Sequence, residues 1–205
     1  MLQLTEILNI YFKNKQYKGT MNRADVHKYS EWHETFQCIF TTKEYILLQE
    51  RSALLSDYPG LLDVTVGGHI QSDENISDGT REIKEEMGLN IDFNRLEFLC
   101  TIPESINDKF IDNEFINIYT LELEDTELNN IRFNDGEVTE LYKIKKTDFF
   151  LFSTNSIVNV KGTGLFNKKN KLFSIDNFLP YSKTYFVCIS SLLQRNLISS
   201  NNHVT

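Results

Sequence analysis

The stretch GGHIQSDENISDGTREIKEEMGLN, residues 67–90, constrains this chain more than any other. Asn75 is a fitting N-cap with Asp78 three residues on, and Gly88 a fitting stop, so a helix is predicted between them. At about 100° per residue, Glu82 and Glu86 lie one turn apart with Glu85 beside them. Like charges at i,i+3 and i,i+4 destabilise a helix unless something sits between them. A face built this way calls for cations, and Mg²⁺, which prefers carboxylate and water oxygens, suits it. Three carboxylates on one face can hold one to three such ions. Gly67 and Gly68, just upstream, let the backbone come close to a metal or a phosphate. Arg81 can pair with a neighbouring carboxylate, Glu85 at i,i+4 being one candidate.

Strand signals surround this helix. Residues 4–20 predict a strand pair with KNKQ as its turn, and 23–34 a polar connection. TFQCIFTT and EYILLQERS are the next strands, followed by a loop punctuated by Pro59-Gly60 and a short strand VTV at 64–66. RLEFLCTI, EFINIYTLEL and EVTELYKI follow, then a short helix over 146–152. VNVKGTGLFNKKNKLFSI predicts a hairpin with a lysine-rich tip. After Pro180, Tyr181, Tyr185, Ile189, Leu192 and Leu193 stand at helical spacing. The 205 residues show no repeat and no sharp compositional break, so one domain is expected. It divides into an N-terminal strand pair and connection (1–30), a core (31–152) and a C-terminal hairpin and helix (153–205).

The run Arg81-Glu82-Ile83-Lys84-Glu85-Glu86-Met87-Gly88-Leu89 resembles the second half of the Nudix box, the signature of the Nudix hydrolase superfamily. Counted from Gly68, Glu74 falls at the box's first glutamate, and the loop from there to Arg81 is one residue short. Counted from Gly67, both spacings hold and Asp73 takes that place. The one-residue shortening is preferred. The flanking ILLQERS…YPGLLDVTVGGHI, FIDNEFINIYTLEL and DGEVTELYKI also look like Nudix strands. The resemblance spans residues 5–150 and implies an α/β fold, an α/β/α sandwich around a mixed β-sheet. It further implies hydrolysis of a diphosphate linked to another moiety by metal-activated water. Glu82, Glu85 and Glu86, with Gly68, would hold Mg²⁺, with Mn²⁺ as the alternative ion. Arg81 and Glu137 would complete the catalytic set, with Glu114 and Glu140 as further candidates for the general base.

His27, His33 and His69 lie in polar segments or at strand ends near the box. Their placement is similar to that in isopentenyl-diphosphate isomerase, a Nudix-fold enzyme. That likeness implies a second metal-ligand set of His27, His33, His69, Asp112 and Glu114. Imidazole and carboxylate together suit Mn²⁺, Zn²⁺ or Fe²⁺. The isomerases carry a catalytic cysteine before the Gly-His pair, where this chain has Gly67, which argues against isomerase chemistry. A non-catalytic metabolite- or nucleotide-binding protein is the other alternative, and the full set of three glutamates argues against it.

The net charge of −8 argues against a nucleic acid polymer as partner, while a small anionic diphosphate stays open because a divalent metal inverts the local field. Cys38, Cys100 and Cys188 are widely spaced in apolar runs and read as reduced thiols. No apolar stretch approaches the ~20 residues of a membrane span, and the first residues have no signal-peptide pattern. A cytoplasmic enzyme without membrane association is expected, with homodimerisation left open.

Overall fold

The computed structural model describes residues 6–108 and 111–201, with side chains through Arg195. Eleven strands among these residues form one mixed sheet. Strands β1 (Ile7–Tyr11) and β2 (Tyr17–Asn22) are the expected pair, and the chain then forms a helix, α1 (Arg23–Tyr29). This corrects the polar connection expected over 23–34. Asn22 Oδ1 accepts from the Asp25 N–H and caps the helix, while the single buried apolar residue, Val26, docks it on Leu8 and Ile10. Seven residues with one apolar anchor carry no helical periodicity to detect.

The scaffold of the site is β3 (Trp32–Thr41), which runs parallel to β8 (Ile111–Glu122) over nine residue pairs, His33–Glu114 to Thr41–Glu122. Its other edge is shared by three partners: β1 at Trp32–His33, β6 (Val66–His69) at Thr35–Cys38, and β4 (Tyr45–Arg51) at Thr41 alone. The β3–β4 hairpin therefore splays open. Thr65 is its wedge: its hydroxyl accepts from the Phe40 N–H and donates to the Leu47 carbonyl. That hydroxyl replaces the direct rungs between the strands and moves the strand expected at 64–66 to Val66–His69. The two-residue β5 (Leu62–Asp63) pairs with β4 inside the same opening. On the far side of β4 come β9 (Val138–Lys145), β10 (Val160–Gly164) and β11 (Asn170–Phe173). β7 (Glu97–Asn107) pairs antiparallel with β8.

Period-two alternation sends side chains to two cores. Phe36, Cys38, Phe40 and Leu47 pack with Ile83 and Met87 of α2 (Thr80–Met87). Ile39, Ile46 and Leu48 pack on the opposite face. They meet Phe149 and Phe152 of α4 (Lys146–Ser153) and Tyr185, Phe186 and Ile189 of α5 (Lys183–Asn201). The short α3 (Asp125–Leu128) closes the first core through Leu128. Helices thus cover both faces, as the α/β/α expectation requires.

Candidate active site

A 3₁₀ turn, Ile76–Gly79, starts the glutamate helix, with the Asn75 N–H bonded to Asp78 Oδ2 at 2.8 Å as the capping residues predict. Gly79 fixes where the helix lands, because a Cβ there would stand 2.4 Å from the Phe36 ring. Gly88 ends the helix in the left-handed conformation at φ 69°. Ile83 and Met87 face the core, which turns Glu82 and Glu86 toward β6 and leaves Glu85 half exposed.

Glu86 is 4 % exposed and accepts from Gln49 Nε2 at 3.1 Å and from the Gly67 N–H at 3.2 Å. Glu82 lies against Gly68, where a Cβ would come within 2.1 Å of its Oε1. A side chain at position 68 would therefore push the Glu82 carboxylate out of its present place. Arg81 ties the cluster: it donates to Glu74 from Nε at 3.0 Å, and one guanidinium nitrogen lies 3.0 Å from both Glu82 Oε1 and Glu85 Oε2. Glu74 also accepts from the Gln71 N–H at 2.9 Å, so the shortened loop still delivers Glu74 to the box, as the anchor of Arg81. One arginine does not balance these carboxylates. Burial, with Glu85 adding repulsion, pushes the Glu82 carboxyl up to about 7. Burial, then Glu82, Asp135 and Glu137, pushes Glu86 well above its ordinary value. A cluster so short of positive charge fits divalent cations, which supply it without a proton.

The three histidines converge from three different elements. Helix α1 brings in His27, β3 His33 and β6 His69. His27 Nε2 and His69 Nε2 are 3.3 Å apart, and the His33 and His69 rings stack at 5.2 Å. Asp112 Oδ1 lies 3.7 Å from His27 Nε2 and 3.8 Å from His33 Nε2, and Glu114 Oε1 lies 3.9 Å from His33 Nε2. His33 Nδ1 is fixed by the Glu31 carbonyl at 3.1 Å, which leaves its buried Nε2, like Asp112 Oδ1, with no hydrogen-bond partner among the described residues. Burial lowers the pKa of all three histidines, keeping the imidazoles neutral as metal ligation needs. Burial, with Asp112 and Asp63 adding repulsion, raises Glu114 well above the carboxylate range. Neutral imidazoles and orphaned polar atoms within one ion's reach fit a transition metal.

One cleft of about 450 Å³ is lined from both clusters, by Glu82, Glu85 and Glu86 and by His27, His69, Asp112 and Glu114. Strand β6 divides them: Gly68 and the Gly67 N–H meet the glutamate helix, while His69 joins the histidines. Glu137 stands in the cleft wall with Asp135, whose Oδ1 accepts from the Glu137 N–H at 2.9 Å. Glu140 does not line it; its carboxylate accepts from the N–H groups of Leu141, Phe166 and Asn167 and organises the β10–β11 hairpin. Glu140 is thereby removed as a base. Sequence reasoning missed Arg23, one turn from His27 on the undetected α1, and Arg51 at the end of β4. It also missed Asp63 and Tyr181. The Tyr181 hydroxyl accepts from Gln37 Nε2 at 2.9 Å and donates to Asp63 Oδ1 at 3.1 Å, across 144 and 118 residues of chain. No local signal reports such contacts.

The chain is matched by the NUDIX domain family over residues 10–154. It is 32% identical over 193 residues to an uncharacterised Nudix hydrolase of Clostridium acetobutylicum, covering 88% of this chain and 93% of the relative. In structure it resembles a Deinococcus radiodurans protein at TM-score 0.56 and 20% identity, covering 74% of this chain and 89% of the other. A MutT/nudix family protein from Enterococcus faecalis is similar at TM-score 0.54 and 12% identity, with 78% and 62% covered. At these identities the two structures speak for the fold alone. With the family match over most of its length, and a relative of nearly the same span, the chain belongs to the Nudix hydrolase family.

Proposed function

We propose that this protein cleaves a diphosphate linked to another organic moiety, with Mg²⁺ as its ion and Mn²⁺ as a substitute. The observation that carries this reading is the buried Glu86 with the largely buried Glu82 beside it, short of positive charge and set against Gly67-Gly68. Glu82, Glu85 and Glu86 would hold the ion, with backbone of Gly68 beside it. Bound there, Mg²⁺ supplies neutralisation of the diphosphate charge and acidification of a water. Arg81, gripped by Glu74, keeps Glu82 and Glu85 in place for that task. Glu137 would take the proton of the attacking water; its place in the cleft wall and a carboxyl raised by burial and by Asp135 support that role. His27, His33, His69, Asp112 and Glu114 would hold a second, softer ion such as Mn²⁺ or Zn²⁺.

Residues 153–205 belong to the same domain in this reading, since α5 packs on the sheet and Tyr181 reaches the cleft. No helix among the described residues is long and apolar enough to cross a membrane. A cytoplasmic enzyme, acting on a small molecule and not on a nucleic acid polymer, accords with that and with the acidic charge. The two alternatives are not favoured: Gly67 offers no thiol for isomerisation, and a pure binder has no need of the strained glutamate cluster. Incubation with a panel of diphosphate compounds and Mg²⁺, then Mn²⁺, tests the reading. Two phosphate-bearing products support it; binding without turnover or a moved double bond refutes it.

A further inference from the structure

Two of the three cysteines meet outside the cleft. Cys100 Sγ on β7 and Cys188 Sγ on α5 stand 3.9 Å apart, across 88 residues of chain. A bulge in β7 sets this up. Phe98 pairs with Tyr119 and Cys100 with Ile118, so Leu99 is an extra residue. Before the bulge, the Phe98 ring meets Tyr119 on the α2 side of the sheet. After it, Cys100, Ile102 and Glu104 turn to the side that α5 covers. The Glu104 carboxylate accepts there from the Ser182 N–H at 2.6 Å and from the Ser182 hydroxyl at 2.9 Å. Ser182 in turn accepts from the Tyr185 N–H at 3.1 Å and so caps α5. Both thiols are half-buried, which leaves them open to a reagent in solvent, whereas Cys38 is fully buried.

We propose that Cys100 and Cys188 are a reversible oxidation site, a dithiol that closes to an intramolecular disulfide and latches the C-terminal helix to β7. Disulfide sulfurs stand about 2.05 Å apart, so these two must approach by about 2 Å, within the swing of their side chains. The co-reactant is an oxidised low-molecular-weight disulfide of the glutathione type. One protein thiol, as thiolate, attacks a sulfur of that disulfide, whose S–S bond breaks, and the first small thiolate leaves and takes up the proton. The other protein thiol gives up its proton, attacks the mixed disulfide at the protein sulfur and expels the second small thiol. The protein loses two electrons and two protons, and the small disulfide gains both. Burial first, then Cys188, pushes the Cys100 thiol up to about 12, so its thiolate is scarce at neutral pH and closure is slow. The bond would fix α5 to β7 at a second point, six residues on from Ser182. The same segment holds Tyr181 against Asp63, so the latch bears on the cleft wall. Closing a loop of this length also restricts the unfolded chain and stabilises the folded one.

The test incubates the full chain with oxidised glutathione at mildly alkaline pH, blocks the remaining thiols under denaturing conditions, and measures intact and peptide masses. The expected product is a single chain lighter by two hydrogens, with Cys38 as its one free thiol and a cross-linked pair of peptides carrying Cys100 and Cys188. Dithiothreitol should reverse it fully. The oxidised protein should melt about 5–10 °C above the reduced one. That rise should vanish in Cys100→Ser and in Cys188→Ser, while their reduced Tm stays near that of wild type. The peptide masses are read on wild type alone, so the test holds even where a variant misfolds. Three free thiols after prolonged oxidation, or glutathione retained on Cys100 or Cys188 without closure, overturns the latch. So does a bond to Cys38 or to a second copy, or a Cys100–Cys188 bond that leaves the Tm unchanged or lower.

Discussion

Replacing Glu82 by Gln should make the metal-free protein more stable, and only above a definite pH. The Glu82 carboxyl is raised from 4.5 to about 7, first by burial and then by Glu85, against the lowering effect of Arg81. A raised carboxyl binds its proton more tightly in the folded state. Stability is therefore lost as pH climbs from the unfolded value, near 4.5, to the folded value, near 7, and the full penalty stands above that. The difference, 7 − 4.5, is 2.5 units, which corresponds to a ceiling of about 3 kcal/mol. Glutamine keeps the shape and removes the charge, but it also gives up the 3.0 Å ion pair with Arg81, worth up to about 1 kcal/mol. About 2 kcal/mol should remain, or roughly 4–8 °C in Tm for a domain of this size. Thermal unfolding with excess chelator at pH 4.5, 6 and 8 reads this directly. The Tm advantage of Glu82→Gln should be near zero at pH 4.5 and largest at pH 8. An equal advantage at every pH, or a loss at pH 8, would refute electrostatic strain in the glutamate cluster.

Glu85→Gln and Glu86→Gln should each lower kcat at least ~100-fold with the fold intact, since each removes a ligand charge; near-normal turnover in both would exclude the helix as catalytic centre. Thorough chelation should abolish hydrolysis, and readdition of Mg²⁺ should restore it. Gly68→Ala forces the Glu82 carboxylate aside, so activity should fall well below that of Gly67→Ala; the opposite order would contradict the close approach described for Gly68. His33→Gln and His69→Gln should each cost the protein one equivalent of tightly held Mn²⁺ or Zn²⁺, measured by elemental analysis after desalting. Unchanged metal content would dismiss the histidine site.

Legibility in the sequence followed how local each signal is. The glutamate helix was readable end to end, because its cap, its charges and its closing glycine all lie within fourteen residues. The strands of the sheet stood out through apolar runs of β-branched and aromatic residues. Helix α1 was hidden, since Val26 is its single buried residue and its capping asparagine, Asn22, closes a strand. The wedge at Thr65 was hidden as well, since a hydroxyl bridging Phe40 and Leu47 looks like any strand threonine. The convergence of His27, His33 and His69 was suggested by family likeness alone; nothing in residue spacing sets α1 against β6. Tyr181 lay beyond reach, because its partners Gln37 and Asp63 are brought to it by the packing of the C-terminal segment.

Hydrolysis in ¹⁸O-labelled water tests the central claim most directly, with a diphosphate substrate, Mg²⁺ and mass analysis of the products. Attack by a metal-activated water on phosphorus predicts two phosphate-bearing fragments, one of them carrying a single ¹⁸O, and loss of both signals in Glu86→Gln. Unlabelled products, or labelled products that persist undiminished in Glu86→Gln, would contradict water activation at the glutamate helix.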